Sequence, residues 1–115
     1  MTEFDVHANS SAGCAIVTVR GDLDGDTAPR LDAALDAMGR HGPVVVDVSR
    51  IDVLTSAGVQ SLLRERGFGR PSVVCPDGRI ATILEIVQAH RVVPVFRDLD
   101  AAVVAVVGPS AKQRS

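Results

Sequence analysis

Ser56 is the residue whose type and setting best fit a chemical task. It stands in Leu54-Thr55-Ser56-Ala57-Gly58-Val59, shortly after the run Val44-Val45-Val46-Asp47-Val48-Ser49. A continuous β-branched run reads as a strand covered on both faces. A short loop follows, and Ser56 opens a helix. Two uses of that hydroxyl stand side by side. It can accept a backbone N–H and cap the helix, which stabilises by about 1 kcal/mol. It can also accept a phosphate, which would meet the orphan N–H groups and the positive end of the helix dipole. Thr55 is the competing acceptor. Nucleophilic catalysis has little support, because no base stands beside Ser56 and Leu54 and Gly58 occupy the flanks of the would-be elbow. Neither a phosphate-binding loop nor a dinucleotide fingerprint is present. The chain is therefore expected not to be an enzyme, and no cofactor is expected.

Asp22, Asp24 and Asp26 form a second constellation. Their alternate spacing is that of a calcium loop's first ligands, but Thr27 stands where the loop needs Gly and Ala33 where it needs Glu. Loop solvation and charge at a helix start account for some of these carboxylates. The functional reading puts Asp24 on a partner surface beside Ser56. His7, His41 and His90 have no ligand spacing to one another or to cysteine, so no metal site is expected. Cys14 and Cys75 lie in apolar stretches and read as buried thiols. A redox pair is the sharper alternative, and it needs the two Cα atoms within bridging distance.

The elements that must position these residues follow from periodicity. Phe4 to Ala8 alternates as a half-exposed strand. Asn9 to Gly13 reads as a turn, and Cys14 to Arg20 as a second, antiparallel strand. Gly21 to Asp26 breaks it. Thr27 can cap a helix with Pro29 in its first turn and Leu31, Leu35 and Met38 on one face; Gly39 to Pro43 ends it. After the Val44–Val48 strand, a helix from Ser56 points Val59, Leu62 and Leu63 inward and fails by Gly67. Ser72 to Cys75 is a short strand. Asp77 can cap a third helix with Ile80, Ile83, Leu84 and Val87 on one face. Val92 to Phe96 is a last strand, which Pro94 demotes to a sheet edge. Asp98 can cap a final helix from Leu99 to about Val107. The order predicts an α/β domain with a mostly parallel sheet of about five strands, an N-terminal antiparallel hairpin and four helices. Loops leaving the strand C-termini then gather on one edge, bringing together Gly21–Asp26, Ser49–Ser56 and Pro76-Asp77.

Composition bounds the rest. A chain of 115 residues is one domain, with a core at about residues 4–107 and a polar tail at 108–115. With 46% apolar residues it is globular rather than disordered. Its net charge of −2 and lack of a Lys/Arg cluster argue against nucleic acid as a partner. The apolar runs are far shorter than a membrane span, so no direct membrane insertion is expected. The N-terminus carries Glu3 and Asp5 and no apolar leader core, so the expected location is cytoplasmic.

The apolar strand ending Asp47-Val48-Ser49, the Leu54-Thr55-Ser56-Ala57-Gly58-Val59 segment and the Gly21-Asp22-Leu23-Asp24 turn resemble the signature of STAS domains. Bacterial anti-sigma factor antagonists are the most similar branch. The resemblance covers about residues 4 to 107. It implies a STAS-like fold and a partner-switching role in transcription regulation. The domain would bind an anti-sigma factor of ATPase and serine-kinase fold and free a sigma factor. Phosphorylation on the serine aligned with Ser56 would end the complex, and a phosphatase would reset it. Asp22, Asp24, Thr55, Ser56, Ala57 and Gly58 would form the partner surface. Two departures stand out: Thr55 replaces the Asp usual before the acceptor, and Gly58 to Ser72 is about one helical turn shorter than usual. An accessory subunit of a membrane transporter, including lipid-handling ABC systems, or a scaffold in a larger STAS assembly are the alternative roles.

Overall fold

Val44, Val45 and Val46 are all buried, as a strand with both faces covered requires. The computed structural model describes residues 4–11 and 13–108, so nearly all of the expected tail lies outside the described residues. The elements run β1 (Asp5–Ser11), β2 (Cys14–Leu23), α1 (Ala28–Gly39), β3 (Val44–Leu54), α2 (Ser56–Leu63), β4 (Ser72–Val74), α3 (Arg79–Ile86), a 3-10 turn (Ala89–Arg91), β5 (Val95–Phe96) and α4 (Leu99–Val107). The five strands lie in the order β1-β2-β3-β4-β5. The β1–β2 pair is antiparallel and the others are parallel, as the alternation of elements predicts.

The sheet has two unequal faces. Val17, Val19, Val46, Val48 and Val73 join Leu31 and Leu35 of α1, Val59 and Leu62 of α2, and Ile80 and Leu84 of α3 in the main core. Cys14, Val45 and Val74 point the other way and pack under Ala102 of α4. Asp98 caps α4 as its sequence position predicts: Oδ1 accepts from the Ala101 N–H at 2.8 Å. Asp98→Ala is expected to cost about 1 kcal/mol, read as a lower midpoint in urea unfolding with an unchanged slope.

Several boundaries differ from expectation, each for a local reason. Asn9, Ser10 and Ser11 are not turn but strand, paired with Ile16, Ala15 and Cys14; polar side chains do not stop an edge strand whose backbone has a partner. Gly21–Leu23 and Ser49–Leu54 are likewise strand rather than loop. Register shifts at Thr18/Arg20 and Gly21/Asp22 absorb the irregularity, and the ladder continues to Leu23↔Leu54. Buried Ile51 and Leu54 hold that extension to the core. Asp77 does not cap α3. Gly78 takes the N-cap position with a left-handed φ of 149°, and the Asp77 carboxylate pairs with Arg97 instead. Val87 follows the end of α3 and is exposed. The last strand is only Val95–Phe96, because Val92 and Val93 donate to Ala89 in the preceding turn.

These boundaries set the shape of the functional edge. β4 pairs with β3 only along Val45–Asp47. The β2–β3 pair therefore runs on past β4, and beyond the Asp5↔Arg20 pair with β1 it is a two-stranded ribbon for about 10 Å. Its tip carries the turns into α1 and α2. The Pro76-Asp77 loop lies at the ribbon's foot, lining a shallow cleft with Ser49 and Ile51.

Candidate functional site

At the ribbon tip the two turns are joined by backbone. The Thr55 N–H donates to the Leu23 carbonyl at 3.1 Å, one residue past the last ladder pair. Gly58 then lets α2 settle on the same carbonyl. A Cβ at Gly58 would stand 2.6 Å from Leu23 O, 2.9 Å from Leu23 Cγ and 2.9 Å from Leu54 Cδ1. On the outer side, a Cβ at Gly25 would stand 3.8 Å from the Ala57 Cβ. So the Asp24-Gly25 turn and the Thr55–Gly58 helix start, distant in sequence, form one surface. Pro76-Asp77 meets the ribbon lower down, at Ser49 and Ile51.

Asp24 organises its own turn. Its Oδ1 accepts from the Asp26 N–H at 3.0 Å and the Thr27 N–H at 3.1 Å. Thr27 does not cap α1 through its side chain; its hydroxyl donates to the Asp22 carbonyl at 2.7 Å. The capping role expected of Thr27 thus passes to loop closure, with Asp24 as the hub. Oδ2 of Asp24 and the Asp22 carboxylate make no hydrogen bond among the described residues, and both side chains are half-buried.

Neither hydroxyl at the start of α2 caps it. Thr55 is the N-cap residue, extended at φ −97° and ψ 174°, with no side-chain cap bond. Its Oγ1 points at Leu23 O from 3.5 Å. Ser56 is the first helical residue and is exposed. No hydrogen bond holds its side chain among the described residues. The N–H groups of Ser56, Ala57 and Gly58 have no intrahelical partner, as in any first turn. His7, His41 and His90 are all exposed, and no three His, Cys, Asp or Glu side chains converge on a metal-sized site among the described residues.

The family model described as "Mlab, STAS domain" matches residues 6–93, well over half of the chain. The chain belongs to the STAS-domain family. No curated protein sequence matches this STAS domain, but solved structures do. An anti-sigma factor antagonist from Mycobacterium paratuberculosis superimposes with a TM-score of 0.80 at 24% identity, covering 90% of this chain and 94% of that one. The anti-sigma factor antagonist SpoIIAA, in its unphosphorylated form, gives a TM-score of 0.67 at 14% identity, covering 90% and 96%. An uncharacterised Shewanella loihica protein with a SpoIIAA-like fold gives 0.55 at 16% identity, covering 92% and 95%. At these identities the likeness carries the fold.

The cysteines of this STAS domain do not form a pair. Cys14 packs under α4, while Cys75 belongs to the core on the opposite face. They sit on or beside β2 and β4, two strand spacings apart across β3. That is about 9.5 Å of lateral separation alone, beyond the ~7 Å limit for a disulfide. Burial pushes both thiols up from their ordinary pKa, and the Asp47 carboxylate adds to the shift at Cys75. The unfolded thiols therefore lose their protons first as pH rises. Their contribution to stability is complete below about pH 8.5 and declines above it. Urea midpoints measured from pH 7 to 10 should fall along that limb, and less steeply in Cys75→Ala.

One polar residue of this STAS domain gave no signal in the sequence. Arg66 sits in a charged run with Arg64, Glu65 and Arg70, which reads as a solvated loop. Its side chain is 3% exposed and meets Asp32 of α1 at 2.6 Å. Only the fold reveals it, because its carboxylate partner comes from a helix more than thirty residues earlier.

Proposed function

We propose that this STAS domain is an anti-sigma factor antagonist. It binds an anti-sigma factor through the Asp24–Gly25 turn and the start of α2, and so frees a sigma factor. Phosphorylation of Ser56 by a serine-kinase type of anti-sigma factor ends the contact, and a phosphatase restores it. The observation that carries this reading is the Ser56 hydroxyl, exposed at the first position of α2 and bonded to nothing among the described residues. A phosphate there has free N–H groups to meet, so the domain tolerates it. It adds about −1.5 to −2 charge beside Asp24 in one step. The effect therefore falls on the partner and not on the fold. Thr55 is the poorer acceptor, since it is half-buried and its hydroxyl lies against Leu23 O. Asp22, Asp24, Ala57 and Gly58 complete the surface: the glycine by letting α2 close down, the others by contact.

The domain acts as a binding module, not a catalyst, and works in the cytoplasm, where sigma factors are. No helix among the described residues is long and apolar enough to cross a membrane.

The test is a pull-down with wild type, Ser56→Ala and Ser56→Asp as baits, read by mass spectrometry. Capture of an ATPase-fold anti-sigma factor by the first two and not the third supports the switch. Equal capture by all three removes it. An accessory subunit of a membrane transporter, a role that STAS-like domains also serve, is the second reading. Capture of an ABC ATPase with no kinase-fold partner selects that reading.

A further inference from the structure

α2 has eight residues, too few for a helix to hold itself in water. Its last carbonyls must also find donors. Two guanidinium groups supply them. Arg66 Nη2 donates to the Ser61 carbonyl at 2.7 Å and Nη1 to the Arg64 carbonyl at 3.0 Å. Arg70 Nε donates to the Leu63 carbonyl at 2.9 Å. Positive charge at this end also complements the helix dipole. The same Arg66 Nη2 bonds Asp32 on α1 at 2.6 Å. Asp36 Oδ1 stands 3.4 Å from Nε, off the hydrogen-bonding line, so Nε keeps an ionic contact without a hydrogen bond. Residues 66 and 69 exchange backbone bonds at 2.7 and 2.8 Å, closing a tight turn over Gly67 and Phe68. This clasp stands where the segment between α2 and β4 is short.

The exposed residues Ser56 and Gln60 of α2 and Arg64, which follows its last residue, come at four-residue intervals and make one stripe; Arg64 also stands 3.6 Å from Asp32. The seat at Gly58 holds the first turn, and buried Val59 and Leu62 hold the inner face in the core; the last turn is tied from outside by the two arginines. Without that tie the last turn frays, which leaves Ser56 near Asp24 but loosens Gln60 and swings Arg64. We propose that Arg66 is a positioning residue that aligns this stripe as one face for the partner. The proposal rests on the partner-switching reading above and adds the residue that orients its surface. Lysine cannot do this work: it carries the charge but lacks the planar fork that reaches Asp32 and two carbonyls together.

The test compares wild type, Arg66→Met, Arg66→Lys and Ser56→Asp, first by amide hydrogen exchange on the isolated domain and then by titration with the purified, captured anti-sigma factor. In Arg66→Met the amides of residues 59–63 should lose protection at least tenfold, while those of β2 and β3 keep theirs. If the aligned state falls to about a tenth of the population, affinity falls about tenfold. Arg66→Lys should restore neither. Uniform loss of protection across the sheet, or selective loss with unchanged affinity, or full rescue by Lys, overturns the proposal. Affinity lost in Arg66→Met but not in Ser56→Asp keeps the positioning role and sinks the phosphoswitch. The reverse pattern keeps the switch and sinks the positioning role.

Discussion

Replacing Ser56 by Asp is expected to lower affinity for the anti-sigma factor more than a hundredfold while leaving the fold as stable as wild type, or slightly more so. Both halves come from one geometry. The side chain is exposed and holds nothing, so its loss costs the domain no contact. A carboxylate at the first helical position meets the positive end of the dipole, worth about 0.3–1 kcal/mol. The melting temperature should therefore equal that of wild type or exceed it by a few degrees. On the proposed reading the same charge would lie between a partner and the Asp24–Gly25 turn. An unpaired charge buried at an interface costs roughly 2–5 kcal/mol, and about 3 kcal/mol is already more than a hundredfold. Calorimetric titration gives the affinity, and thermal unfolding of the free variant gives the stability. Ser56→Ala is expected to retain binding, because on the proposed reading it adds no charge to the surface. A Ser56→Asp variant that both melts early and binds weakly would mean that Ser56 supports the fold, and the switch would lose its physical basis.

Much of this layout is legible in the sequence, for reasons that can be named. The valine run at 44–48, the helical spacing of Leu31 and Leu35, and Asp98 before an apolar stretch are local signals, and the structure places each as its pattern requires. Expectations failed where a residue's role depends on a distant partner. Asp24 and Thr27 both suit a cap, and sequence alone assigns the bond to Thr27. In the fold Thr27 finds the Asp22 carbonyl, and Asp24 closes the turn. Asp77 also suits a cap, but Arg97 lies within its reach across the sheet edge. Ser49 to Leu54 carries loop-like charges, yet it stays in the ladder because β2 offers it a partner as far as Leu23. Arg66 is the extreme case. Nothing nearby in sequence distinguishes it from Arg64 or Arg70, and only the approach of α1 makes it a buried clasp.

Gly58→Ala should be the most damaging single-methyl change at the site, destabilising the domain by about 2 kcal/mol. In the middle of an ordinary helix the same change would stabilise, since Ala is favoured over Gly by about 1 kcal/mol. Here the sign reverses because the new Cβ would sit 2.6 Å from a backbone oxygen, Leu23 O, and 2.9 Å from two core side-chain carbons. A side-chain tip could move aside, but Leu23 O is fixed by the Leu23↔Leu54 pairing and by the Thr55 N–H. The helix must lift instead. Overpacking of this kind costs about 1–3 kcal/mol, and loosening the Thr55–Leu23 bond adds about 0.5–1.5 kcal/mol. Together these outweigh the gain in propensity. Gly67→Ala supplies the control, because a Cβ there meets nothing within 4 Å; it should stay within about 0.5 kcal/mol of wild type. Urea unfolding of both variants decides the matter. If Gly58→Ala proves neutral, α2 is not seated on the ribbon tip, and the surface that unites Ser56 with Asp24 loses its support. If it destabilises while Gly67→Ala does not, the contact that closes the core in this region is the same one that assembles the binding face.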